Sequence, residues 1–179
     1  MIYVSEVLKP PPETCKTALQ AAVYQALATL EMPHERVETD EIITMEDCAA
    51  VEARLSMRMV KTLFLCNRQQ SEFYLFVTRG DKPFRAKDFS AALHTARLSF
   101  APAEHMEQLL GTTIGAATIF SMLLPSASAV RPVLDRDVLR DPYYGCSDGT
   151  TTGYLKLRTD DICARLLPYA GKTPAIIEV

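Results

Sequence analysis

The sequence predicts one α+β domain in which helices pack on a mixed, largely antiparallel β-sheet, and three observations carry that prediction. The 179 residues are 48% hydrophobic, ordinary for a globular chain of a length at which a single core buries most of the apolar surface. Two apolar runs, Thr62–Cys66 and Phe73–Val77, are separated by the polar stretch 67–72, the pattern of a hairpin. Strand and helix patterns elsewhere do not alternate strictly, which disfavours a doubly wound parallel sheet.

The elements follow in order. Residues 1–12 read as an N-terminal arm that ends in a stiff Lys9-Pro10-Pro11-Pro12 connection, because proline fixes φ and lacks an N–H. Residues 13–179 form the domain. From Glu13 the spacing of Leu19, Ala22, Val23, Ala26, Leu27 and Leu30 predicts a helix, stopped by Pro33. Arg36–Glu38 is a short strand. Thr44 opens a capping-box pattern with Glu46 and Asp47, predicting a helix to about Leu55. The two hairpin runs are continuous rather than alternating, which places them at the sheet's centre with both faces covered. Asp88–Ala96 reads as helix, Leu98–Phe100 as a short strand, and Ala103–Leu110 as a helix ending at Gly111. Val130–Leu134 and Thr152–Leu157 are strands around a turn-rich stretch, Asp141–Gly149. Thr159–Leu167 is a last helix, and Ala175–Val179 closes as a strand.

Composition narrows the function. No basic start with an apolar run marks a secretion signal, and no apolar segment is long enough to cross a bilayer, so a cytoplasmic protein without membrane contact is expected. Cys15, Cys48, Cys66, Cys146 and Cys163 form no CxxC pair and have no closely spaced histidine. They read as reduced thiols, and neither a metal site nor a cofactor is expected. The net charge of −3 conceals an asymmetry: residues 54–97 carry nine Lys/Arg against three Asp/Glu. Such a block is either a solvated face or a surface that touches a few phosphates.

Several residues could carry chemistry. Lys61 stands immediately before the apolar run of the first hairpin strand, where a lysine ordinarily reaches solvent from a strand end. The small-residue loop Gly111–Thr118 lets backbone amides approach a carbonyl closely, although for Gly111 a helix end explains the glycine and for Gly115 and Ala116 both readings stand. Cys146 has no identifiable base and reads as a packing residue. Asp135 follows an apolar strand, where a turn or salt bridge is the ordinary explanation. Tyr143 and Tyr144 could stack on a base or pack their loop beside Pro142. No Ser-His-Asp or Cys-His arrangement is visible.

The segments Lys61-Thr62-Leu63-Phe64-Leu65, Gly80-Asp81-Lys82, Leu98-Ser99-Phe100-Ala101, Glu107–Gly111, Val133-Leu134-Asp135-Arg136 and Gly145–Leu155 occur in an order and spacing that resembles the YbaK and prolyl-tRNA editing (ProX) superfamily, from about Glu13 to Val179. The resemblance implies trans-acting hydrolysis of a small noncognate residue from tRNA, such as alanine on proline tRNA. It implies the tRNA 3′ aminoacyl end and prolyl-tRNA synthetase as partners. Lys61 would hold the substrate, Gly115 would stabilise the oxyanion, and Ser147 would orient substrate or water. Thr62, Thr44, Ala116, Thr118 and Asp135 would bind substrate, with a helix cap as the competing explanation for Thr44. The sequence departs from the family pattern where Ile119 replaces a loop proline, and where Ser147-Asp148 and Thr151-Thr152 replace the later histidine-proline and Asn-Thr pairs. Those departures leave a second class open, a non-catalytic module that binds an aminoacyl or nucleotide end.

Overall fold

The computed structural model describes residues 2–179. In order, the elements are α1 (Ala18–Thr29), β1 (His34–Glu38), α2 (Ala49–Leu55), β2 (Val60–Cys66), β3 (Phe73–Arg79), α3 (Ala86–Ala92), β4 (Ser99–Phe100), α4 (Ala103–His105), β5 (Val130–Asp135), α5 (Arg136–Arg140), β6 (Tyr143–Ser147), β7 (Gly153–Arg158), α6 (Thr159–Asp161), α7 (Leu167–Tyr169) and β8 (Ala175–Ile177). Single π-helical turns extend α4 through Met106–Leu110 and join α6 to α7 through Ile162–Leu166.

The predicted hairpin is the antiparallel β2–β3 pair, with Leu63 opposite Phe76. It lies in the middle of a five-stranded sheet ordered β4-β2-β3-β5-β8, in which β3–β5 and β5–β8 run parallel. The sheet is therefore mixed, as predicted. Both faces of its centre are covered, which explains the continuous apolar runs: Leu75, Phe76 and Val77 are all buried. One face packs on α1, the 3₁₀ turn Ile119–Leu123 and the C-terminal helices through Leu19, Phe120 and Leu166. The other packs on α3, where Phe89 meets Phe76 at a ring separation of 4.6 Å and also touches Tyr74 and Phe84. Truncating Phe89 to alanine would cost about 3–5 kcal/mol.

Three expectations are corrected. The turn-rich stretch contains β6, and β6 joins β7 and β1 in a second, three-stranded antiparallel sheet ordered β1-β7-β6. The first helix starts at Ala18 rather than Glu13, because the Thr17 hydroxyl accepts the Gln20 N–H and caps it there. Thr44 caps no helix. Its hydroxyl does accept the Asp47 N–H, at 3.4 Å, and donates to the Asp47 carboxylate at 2.7 Å, but these bonds close a turn, and α2 begins later, at Ala49.

The two sheets share the main core, where Tyr144, Cys146 and Leu155 pack with Phe64 and Leu75, and a backbone bridge ties them edge to edge. Met59, just before β2, forms a parallel bridge with Gly145 of β6. A Cβ on Gly145 would lie 2.0 Å from Met57 Sδ and 2.8 Å from the Arg58 carbonyl oxygen, so only glycine permits this approach. The junction brings Cys146 and Ser147 alongside β2.

Candidate active site

Beside this junction lies a cavity of about 410 Å³, within the range of small-ligand sites. Its walls come from β2 (Val60 to Phe64), the segment Ile42–Met45, Ile114, Gly115 and Ala117 of the small-residue loop, Phe100 of β4 with Ala101 after it, and Cys146 and Ser147. The lining is largely apolar, with Met59, Cys48, Met106 and Tyr154 completing it. Ile43, Phe100 and Ile114 at the wall remain well exposed and form a greasy rim.

Of the residues singled out in the sequence, Lys61, Thr62, Thr44, Gly115 and Ser147 all line this one cavity. Lys61 is half-buried, and its ammonium donates to the Lys82 carbonyl in the turn after β3. Burial lowers its pKa, and the Asp81 carboxylate partly opposes that shift. Gly115 adopts φ +90°, a backbone conformation L-residues avoid, and a Cβ there would press on Ile43 at 3.3 Å.

The Ser147 hydroxyl is already engaged. It donates to the Thr150 carbonyl at 2.6 Å and accepts the Gly149 N–H at 3.0 Å, so it shapes the loop 147–150. That loop is pinned from α1: the buried Asp148 carboxylate accepts from Gln20 Nε2 at 2.8 Å and from the Tyr24 hydroxyl at 2.9 Å, and also from the Thr150 N–H and hydroxyl.

Three expected substrate-binding residues lie off the cavity wall. Ala116 is buried, and its N–H donates to the Thr113 carbonyl, which occupies the amide in a turn. Thr118 is fully buried and caps the 3₁₀ turn by accepting the Phe120 N–H. Asp135 ends β5 and accepts from Lys82 Nζ (2.7 Å) and the Thr78 hydroxyl (2.7 Å), while its other oxygen caps α5. Its surroundings are those of a structural ion pair. The central basic block is partly consumed in the same way, since Arg79 forms a two-pronged pair with Asp141.

Sequence reasoning missed the apolar wall. Cys48, Met59, Met106 and Tyr154 come from four separate stretches of the chain and carry no local motif. Burial pushes the Cys48 thiol up to about 11, with Glu52 and Asp47 adding to it. Burial likewise pushes Cys146 up to about 12, against a lowering hydrogen bond from Thr118. Both cysteines are therefore protonated at neutral pH and serve as apolar wall. Among the described residues, no cluster of three or more His, Cys, Asp or Glu is placed to hold a metal ion, and no helix is long and apolar enough to cross a membrane.

Residues 39–164 match the family model of the aminoacyl-tRNA editing domain. The chain is 26% identical over 118 residues to the prolyl-tRNA editing protein ProX of Acetoanaerobium sticklandii, covering 66% of this chain and 72% of that one. It is 24% identical over 161 residues to the prolyl-tRNA synthetase associated domain-containing protein 1 of Danio rerio, covering 89% of this chain and 86% of the relative. Its fold matches the crystal structure of a candidate trans-editing enzyme for prolyl tRNA synthetase with a TM-score of 0.65 and 19% identity, over 92% of this chain and 99% of the other. The family model spans more than half of the chain, including β2 with Lys61, the small-residue loop and Ser147: the chain belongs to the aminoacyl-tRNA editing domain family.

Proposed function

We propose that the chain is a trans-acting hydrolase that removes a wrongly attached amino acid from the 3′ end of tRNA, with alanine on proline tRNA or a residue of similar size as the substrate. The reading rests chiefly on Lys61 and Gly115 lining one apolar cavity in a chain of the editing family. An aminoacyl ester is already reactive, so a site that positions water and steadies negative charge suffices. Water oxygen bonds to the acyl carbon, the bond from that carbon to the ribose oxygen breaks, and the proton from water ends on that ribose oxygen. A neighbouring ribose hydroxyl can relay the proton, so no protein base is required. Lys61 supplies a cation for the carbonyl oxygen as it becomes an oxyanion. At about 4 Å in a partly screened site the attraction is on the order of 4 kcal/mol before desolvation is subtracted. The cavity's apolar wall of Met59, Cys48 and Tyr154 favours a small uncharged side chain, since a charged one would lose its hydration there. The partner that follows is tRNA, with prolyl-tRNA synthetase as the source of the mischarged substrate, and the place of action is the cytoplasm.

Two observations favour a second reading, a module that binds an aminoacyl end without turnover. Ser147 has its hydroxyl engaged in its own loop, and none of the three histidines lines the cavity. A panel of tRNAs charged with alanine, cysteine, serine or proline separates the two. The expected outcome is ester loss from at least the alanyl species, reduced at least about 100-fold in Lys61→Ala with the fold intact. Undiminished activity in that variant refutes the role given to Lys61, and saturable binding without turnover selects the second reading.

A further inference from the structure

Strand geometry leaves one stretch of β2 without a neighbour. The Gly80 N–H donates to the Met59 carbonyl on the β3 side at 3.0 Å, and the Ala101 N–H donates to the Phe64 carbonyl on the opposite side at 2.9 Å. Peptide groups of an antiparallel strand alternate between its two edges. Lys61, Leu63 and Leu65 therefore pair with β3, whereas Val60, Thr62 and Phe64 turn their N–H and C=O away from it. On that outer edge β4 pairs with Leu65 and Cys66, and the backbone bridge from β6 falls on Met59. The N–H and C=O of Thr62 thus fall in a gap between two partners, and the gap opens on the cavity lined by Val60, Thr62 and Phe64.

We infer that the main chain of Thr62 is a clamp for the aminoacyl group, its N–H donating to the ester carbonyl and its C=O accepting from the α-ammonium. This rests on the deacylase reading and deepens it. A single aminoacyl group carries one donor and one acceptor with the spacing of one strand residue, so it completes the residue pair that β4 is too short to make. An unpaired edge peptide inside an apolar cavity has few other partners, and leaving it unmade is costly. The N–H also stays aimed at the carbonyl oxygen as it becomes negative, giving a second donor beside Lys61. Cross-strand neighbours put their side chains on the same face. The substrate's side chain therefore lies on the face of Val60 and Phe64, toward Cys146 and Met106, which belong to the same core and line the same cavity. The ligand class is an α-aminoacyl ester with a free amino group and a small apolar side chain.

The test replaces the Thr62 amide by an ester, incorporating the hydroxy-acid counterpart of threonine so that the side chain is kept and only the N–H is lost. No β3 ladder bond uses that N–H. The expected result is an unchanged melting profile with kcat/KM on alanyl-tRNA at least about 100-fold lower; a value within threefold of the parent overturns the clamp. Should the ester chain fail to fold, the unmodified protein is compared on alanyl-tRNA and propionyl-tRNA, each rate divided by spontaneous hydrolysis. At least about tenfold preference for alanyl supports the clamp, and equal ratios overturn it. Binding of the non-hydrolysable 3′-alanylamido-3′-deoxyadenosine distinguishes the two layers of the proposal. Binding that is lost in the ester variant, by a protein that leaves alanyl-tRNA intact, upholds the clamp and overturns the deacylase. Turnover undiminished in the ester variant does the reverse, and a parent protein that neither binds nor hydrolyses overturns both.

Discussion

Replacing Lys82 by methionine isolates the ion pair that anchors the turn beneath Lys61. The Asp135 side chain is fully buried (0% exposed) and Lys82 is about four-fifths buried (21% exposed), with Nζ at 2.7 Å from Asp135 and 2.9 Å from Asp137. After the substitution Asp135 keeps the Thr78 hydroxyl and the Asp137 N–H, but no counter-charge. Breaking a buried pair from one side costs about 3–5 kcal/mol, and the partial exposure of Lys82 argues for the lower end, about 3 kcal/mol. For a chain of this size that corresponds to a fall in Tm of about 6–12 °C. Adding Asp135→Asn to Lys82→Met removes the orphaned charge while keeping an oxygen for Thr78, and should restore about 2 kcal/mol. The acid limb changes too. The hydrogen bond from Lys82 holds the Asp137 carboxyl below its usual range, against the effect of burial. The stability this provides is present above the unfolded carboxylate pKa and is lost as pH falls through the depressed folded value. Lys82→Met should therefore lessen the loss of stability on acidification. Urea titration across pH, read by circular dichroism, measures all three quantities. A loss under about 1 kcal/mol, or no recovery in the double variant, would refute the assigned pairing.

The remaining predictions concern the cavity. Because burial lowers the Lys61 pKa, the alkaline fall in kcat/KM should occur below the ordinary lysine value, and Asp81→Asn should move it lower still; a profile unchanged by that substitution counts against the assignment. The same shift means that the unfolded state holds the proton more tightly, so this group's contribution to stability rises as pH climbs through the folded value. Lys61→Met should accordingly match or exceed the parent in Tm. Asp148→Ala leaves Gln20 and Tyr24 as buried donors without their acceptor, at about 1–3 kcal/mol each. It should also raise hydrogen exchange in residues 147–152, and parental exchange there would contradict the pinning. Gly145→Ala must displace Met57 and meets the Arg58 main chain, an overpacking cost of about 1–3 kcal/mol. A variant with parental Tm and activity would show that the sheet junction has slack.

What the sequence disclosed was whatever a short window contains. The hairpin was legible because each strand carries its own apolar run, and the helix end at Gly111 because one glycine takes φ +65°. Strand β6 was not, since Tyr143-Tyr144-Gly145-Cys146-Ser147 sits between Pro142 and Asp148 in a stretch dense with turn-forming residues. Only its burial between β7 and Met59 makes it a strand. The division into two sheets depends on contacts between distant segments and has no local signature. Ion pairing was hidden for the same reason: Lys82 and Arg79 counted in the central basic block, whose two readings stood open, yet their partners Asp135, Asp137 and Asp141 lie more than fifty residues downstream. At the site, Lys61 and Gly115 were nameable from the family motif. Ala116 and Thr118 belong to the same loop, and which of its residues face the cavity is decided by turn hydrogen bonds that the composition does not encode.

The segment before α1 has a consequence for how copies of the protein coexist. Val4 bridges Thr39 and Leu8 bridges Arg36, so residues 4–8 lie along the outer rim of β1. Strand rims left bare recruit other chains, and three successive prolines then deny any newcomer the amide donors with which to extend the pairing. The stretch from Val4 to Leu8 acts as a selvedge: removing its pairing would leave the three-stranded sheet ready to stitch itself to its neighbour's.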